Sequence, residues 1–98
     1  MEAMARTGRG PQIVSPANNQ VYAVRPDDPA TGVIALQARS ESDVGKMYWF
    51  AGKAFLGAAT AREPLHWRPA PGIYRIVALD DRGRSSTCTV TVQSAGLN

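Results

Sequence analysis

Apolar and polar residues alternate at every second position over most of this chain, the period of a strand whose side chains point to opposite faces. Val33 to Arg39 is the cleanest case: Ile34, Leu36 and Ala38 fall on one face, and Val33, Ala35, Gln37 and Arg39 on the other. The pattern predicts further strands at Gln12 to Ser15, Gln20 to Val24, Lys46 to Ala51, Ala54 to Ala58, Leu65 to Trp67, Ile73 to Leu79 and Ser86 to Gln93. In the last of these, Cys88, Val90 and Val92 interleave with Thr87, Thr89 and Thr91, so one face is apolar and the other hydroxylated. Helical periodicity is almost absent, and seven prolines and nine glycines are spread where they would break most helices.

The segments between the strands carry turn chemistry. Gly52-Lys53 fits a two-residue hairpin, because glycine at the first central position accepts the left-handed backbone such turns need. Asp80-Asp81-Arg82-Gly83-Arg84 is a turn in which aspartates bond nearby backbone. Ala59 to Pro64 is a weakly structured stretch. Seven or eight short strands with turn signals roughly 8–12 residues apart predict an all-β fold, an immunoglobulin-like β-sandwich of two antiparallel sheets. Trp49, on a central strand, is the expected plug between the sheets. Gly72-Ile73-Tyr74-Arg75-Ile76 has the form of a tyrosine corner, whose hydroxyl bonds back to backbone just upstream. The predicted structural core is Leu36, Trp49, Tyr74 and Ile76, with Trp67 covering one end.

Ninety-eight residues suffice for one domain with a thin, two-layer core. The sandwich is assigned to residues 11–93, residues 1–10 to a polar leader or linker, and residues 94–98 to a frayed tail. The formal net charge of +3 is dispersed. Arg25, Arg39, Arg62, Arg68, Arg75, Arg82 and Arg84 lie among acids, whereas a nucleic-acid binder concentrates its charge on one face. Nucleic acid is therefore not an expected partner. Cys88 is the only cysteine, and its place in an alternating run marks it as a small buried hydrophobe. No apolar stretch approaches the roughly 18–20 residues that span a bilayer, so no direct membrane insertion is expected.

The order of features resembles the C-terminal domain of bifunctional penicillin-binding proteins, of the penicillin-binding protein 1C type. It begins with Ile13-x-x-Pro16 and continues with Tyr48-Trp49-Phe50 and a following glycine. Trp67, a proline and Pro71-Gly72 come next. An alternating strand then ends in an aspartate and the Gly83-Arg84 turn. The likeness runs from about Pro11 to Gln93. One departure is Tyr74, where the family commonly has histidine after Pro-Gly. The resemblance implies a periplasmic module at the end of a peptidoglycan synthase anchored in the inner membrane. Glycosyltransferase and transpeptidase domains would lie upstream, and the module would serve as a protein or cell-wall contact. No cofactor is implied.

The residues themselves offer no reaction centre. A penicillin-binding transpeptidase needs serine three residues before lysine, but Asp43 precedes Lys46 and Phe50 precedes Lys53 at that spacing. His66 is the only histidine, and a hydrolase built on it would also need a positioned serine and carboxylate. Asp27-Asp28 and Asp80-Asp81 are too few oxygens for calcium. No catalytic, metal or cofactor-binding residue is assigned.

A contact surface is assigned instead. With Trp49 inward, strand alternation turns Tyr48 and Phe50 outward, and Arg75, Val77 and Leu79 on a neighbouring strand face the same way. Aromatic side chains with an arginine at the margin are typical anchors. Three functions fit. The first is a non-catalytic accessory module that docks on upstream domains of its parent protein or recruits an envelope protein. The second is a carbohydrate-binding module for peptidoglycan. The third is a structural or adhesion module whose final threonine-rich strand pairs with another chain.

Overall fold

The computed structural model describes residues 10–25, 27–28, 32–41 and 43–94. The expected leader (residues 1–9 of the segment 1–10) and residues 95–98 of the expected tail lie outside that set. Eight strands are found among the described residues: β1 (Gln12–Ser15), β2 (Gln20–Val24), β3 (Ile34–Arg39), β4 (Lys46–Ala51), β5 (Ala54–Thr60), β6 (Leu65–Trp67), β7 (Gly72–Asp80) and β8 (Ser85–Ser94). They form a three-stranded sheet, β1-β3-β6, and a five-stranded sheet, β2-β8-β7-β4-β5. The all-β sandwich of two sheets is as expected from the alternation. No helix among the described residues is long and apolar enough to cross a membrane.

The core lies between the sheets and is built by the alternation of β3, β4, β7 and β8. Ile34, Leu36 and Ala38 from β3 meet Met47 and Trp49 from β4, Ile76 and Ala78 from β7, and Cys88, Val90 and Val92 from β8. Trp49 is the largest fully buried side chain. An aromatic ring of this kind removes about 150–250 Å² from water, so it dominates the burial energy of so thin a core. Trp67 and Tyr74 are half-buried and pack against this cluster from one end. Their rings meet edge to face, with centroids 4.9 Å apart and planes at 84°. The Tyr74 hydroxyl donates to the Ala70 carbonyl at 2.5 Å, which is the bond a tyrosine corner requires.

One pairing departs from the expected antiparallel sheets. β2 runs parallel to β8, from Gln20 opposite Val90 to Val24 opposite Ser94. It follows from a change of sheet. β1 pairs with β3 in the small sheet, and the chain then crosses to the large one through a tight turn closed by the Gln20 N–H on the Ala17 carbonyl at 3.1 Å. Polar contacts with β8 hold the crossing: Asn19 N–H donates to the Thr89 carbonyl at 2.7 Å, and Thr89 N–H donates to Asn18 Oδ1 at 2.9 Å. Asn19 sits at φ 66°, a left-handed conformation that asparagine tolerates better than most residues. Placing β2 against β8 also removes the free edge expected of the threonine-rich strand, because β8 now lies between β2 and β7.

Several boundaries also differ. β5 continues to Thr60, two residues past the expected Ala58, β3 begins at Ile34 instead of Val33, and β7 and β8 are each one residue longer at both ends, so Ser94 ends β8 instead of opening the tail. β5 carries a bulge near its start. Trp49 pairs with Gly57 and Phe50 with Phe55, leaving Leu56 as the extra residue. Gly57 makes this possible at φ 150°, and a Cβ there would lie 3.1 Å from the Leu65 side chain. At that point β5 presses close to β6 of the other sheet.

Candidate functional site

The register of β4 and β7 fixes which side chains share the outer face of the five-stranded sheet. Tyr48 is opposite Leu79 and Phe50 is opposite Val77, while Trp49 and Ala78, one step out of phase, point into the core. Tyr48, Phe50, Val77 and Leu79 therefore lie together, each half-buried by its neighbours on the sheet. Arg75 faces the same way, is exposed, and pairs with Thr89 on β8. The Arg75 carbonyl accepts the Gly52 N–H at 2.8 Å, which holds the β4-β5 hairpin tip beside it. Leu36, Trp49 and Ile76 are enclosed on the opposite side.

Three residues of this face escaped the sequence reading. Phe55 is 59 % exposed and stacks in tilted fashion on Phe50, with centroids 5.4 Å apart and planes at 54°. A two-residue hairpin at Gly52-Lys53 already dictates that Phe50 and Phe55 pair, so the turn alone could have placed Phe55 here. Ile73 is 75 % exposed and Val21 54 %. Thr91 pairs with both, so all three share the outer face at the β2 side of the sheet. Val21 could not be placed from the sequence, because its position depends on the parallel pairing with β8. The face thus carries an aromatic-aliphatic block over β5, β4 and β7, a row of threonines on β8, and Arg75 between the block and Ile73. Among the described residues, no chain segment forms a layer over it.

Three aspartates are engaged in holding turns. Asp80 is buried at 2 % exposure; its Oδ1 accepts the backbone N–H groups of Arg82 and Arg84, each at 2.9 Å, and its Oδ2 accepts Arg84 Nε at 3.0 Å. Asp81 Oδ2 reaches back to the start of β4, accepting the N–H groups of Gly45 and Lys46 at 3.0 Å each. Asp43 pairs with Arg82 at 3.1 Å. The sequence reading of Asp80 as local turn chemistry missed its burial and the stitching of this turn to β4. Among the described residues no group of three or more His, Cys, Asp or Glu side chains could hold a metal ion. His66 is exposed on β6, opposite Ala35. Cys88 is buried, and burial raises the pKa of its thiol.

This architecture can be compared with known proteins. The fibronectin(III)-like modules of Clostridium thermocellum CbhA superpose with a TM-score of 0.60 at 22 % identity, covering 89 % of this chain and 99 % of that one. This likeness shows the fold alone. CopC from Methylosinus trichosporium OB3b gives a TM-score of 0.49 at 16 % identity, covering 90 % of this chain and 98 % of that one. No match to a curated protein was found. A sequence profile for the C-terminal region of penicillin-binding proteins matches residues 1–92, nearly the whole chain. The chain belongs to the Penicillin-Binding Protein C-terminus Family.

Proposed function

We propose that this domain is a non-catalytic interaction module of a peptidoglycan synthase of the cell envelope, which docks through the outer face of its five-stranded sheet. The observation that carries this reading is the uncovered block of Tyr48, Phe50, Phe55, Val77 and Leu79, with exposed Arg75 at its margin. A soluble domain rarely leaves such a surface open without a partner for it. Aromatic rings fixed by strand pairing lose little entropy on binding, and arginine adds a directional charge. Family membership supports a parent with glycosyltransferase and transpeptidase domains, working in the periplasm from an inner-membrane anchor. In this reading the partner is those upstream domains or a second envelope protein, and the module contributes position instead of chemistry.

A glycan platform is the competing use of the same face. Sugar rings stack best on aromatic planes presented flat and side by side. The 54° between Phe50 and Phe55 breaks such a plane, which weighs against it. The test is a shift-perturbation titration of the isotope-labelled chain with soluble peptidoglycan fragments. The docking reading expects no saturable change. Shifts clustered on Tyr48, Phe50, Arg75 and Leu79 would make the module a wall binder.

A further inference from the structure

The outer face of the five-stranded sheet carries charge of one sign. Alternation and register place two charged side chains on its strands, Lys46 at the start of β4 and Arg75 within β7, both exposed. Lys53 follows at the tip of the β4-β5 hairpin, next to the Gly52 N–H that bonds the Arg75 carbonyl. No described carboxylate occupies an outward position of the five strands. Asp80 points into the core, and the others lie in turns and loops. Arg25, Arg82 and Arg84 each pair with an aspartate. The side chains of Lys46, Lys53 and Arg75 make no ion pair or hydrogen bond among the described residues.

Arg75 stands where a partner has to cover it. On one side are Phe50, its diagonal neighbour across the β4-β7 pairing, and Phe55 stacked on Phe50. On the other are Ile73, two residues earlier on β7, and Val21, each opposite Thr91. Ile73, Phe55 and Val21 are the three most exposed large apolar side chains among the described residues. A surface that buries both apolar groups closes over Arg75 as well. Stripping water from a guanidinium is strongly unfavourable unless an anion meets it. Its planar fork grips a carboxylate with two parallel bonds.

We propose, on the basis that the domain docks through this face, that its partner is a different protein whose contact surface is apolar, with an aspartate or glutamate side chain at its centre received by Arg75. A second copy of this chain would bring more cations to the contact and no carboxylate to meet them, which is unfavourable. Holding to an anionic bilayer takes a cluster of about 4–8 basic residues, and Lys46, Lys53 and Arg75 fall short of that. A protein surface supplies both the flat apolar cover and the single, fixed anion.

The test titrates the isotope-labelled 98-residue chain with the unlabelled catalytic domains of its parent synthase, in about 0.05 M and about 0.5 M salt. The expected result is saturable shifts at Phe50, Phe55, Ile73 and Arg75, with binding severalfold weaker at the higher salt. Arg75→Gln should weaken binding at the lower salt by about tenfold or more, the loss of a charge-assisted contact. It should also flatten the salt dependence and leave urea denaturation unchanged. Arg75→Lys, which keeps the charge but not the fork, should fall between the two. Binding on this face with equal affinity in Arg75→Gln and at both salts would overturn the carboxylate while docking stands. A silent titration would overturn docking and this inference together. Concentration-dependent shifts of the chain alone at these residues would make the occupant a second copy. The same shifts with vesicles of phosphatidylglycerol and phosphatidylethanolamine would make it a bilayer, and either result would overturn the proposal.

Discussion

Arg84 closes on Asp80 at the turn between β7 and β8, with its Nε 3.0 Å from an Asp80 oxygen whose side chain is wholly enclosed. The same carboxylate takes two backbone N–H groups, so all its acceptor capacity on this side is spent inside the fold. Removing its charge leaves a largely buried guanidinium short of its main partner, and that is the costly way to break a buried pair. Asp80→Asn should therefore destabilise the domain by about 3 kcal/mol, read from urea denaturation. A loss near zero would show that the turn is held by its backbone bonds alone.

Trp49 tests the core. Trp49→Ala should cost about 3–5 kcal/mol, enough to unfold much of a domain this small. Its Nε1 is buried and has no hydrogen-bond partner among the described residues. Trp49→Phe therefore sacrifices volume but no bond, and it should cost less than half as much when both variants are unfolded in urea. If the two substitutions proved equally damaging, the indole nitrogen would have to be bonded after all.

Cys88 reports on opening of the sandwich. Its sulfur is buried, its pKa is raised by desolvation, and it donates weakly to the Pro16 carbonyl at 3.7 Å. The thiolate is the reactive form, so native protein should resist a thiol-specific chromogenic reagent and react fully once urea unfolds it. Rapid reaction of the native chain would mean that the β1 to β2 crossing peels away from β8 on its own.

The outer face should be separable from stability. Tyr48 is half-buried and Phe55 is exposed on an edge strand. Tyr48→Ser and Phe55→Ser should each shift stability by no more than about 1 kcal/mol, while improving solubility at high concentration. A collapse of the fold in Tyr48→Ser would mean that this side of β4 carries structural weight that its position on the outer face does not suggest.

Much of this architecture is written in local pattern. The alternation through β3, β4, β7 and β8 sorts Leu36, Trp49 and Ile76 inward and Tyr48, Phe50, Val77 and Leu79 outward, because a strand leaves no other choice of face. The Pro-Gly-x-Tyr run likewise announces the Tyr74 to Ala70 bond. The rest is non-local. Nothing near Gln20 says that β2 will cross to the other sheet and run parallel to a strand seventy positions later, so Val21 and the covered edge of β8 could not be foreseen. Asp80 reads as an ordinary turn residue until β4 and the turn into β8 are folded around it.

Docking through the outer face is tested most directly by titrating the isotope-labelled domain with the unlabelled catalytic domains of its parent synthase. The expected result is broadening or shifts confined to Tyr48, Phe50, Phe55, Arg75, Val77 and Leu79, abolished by Phe55→Ser combined with Arg75→Ser. A spectrum that stays unchanged at saturating partner, or changes only on the three-stranded sheet, would contradict it.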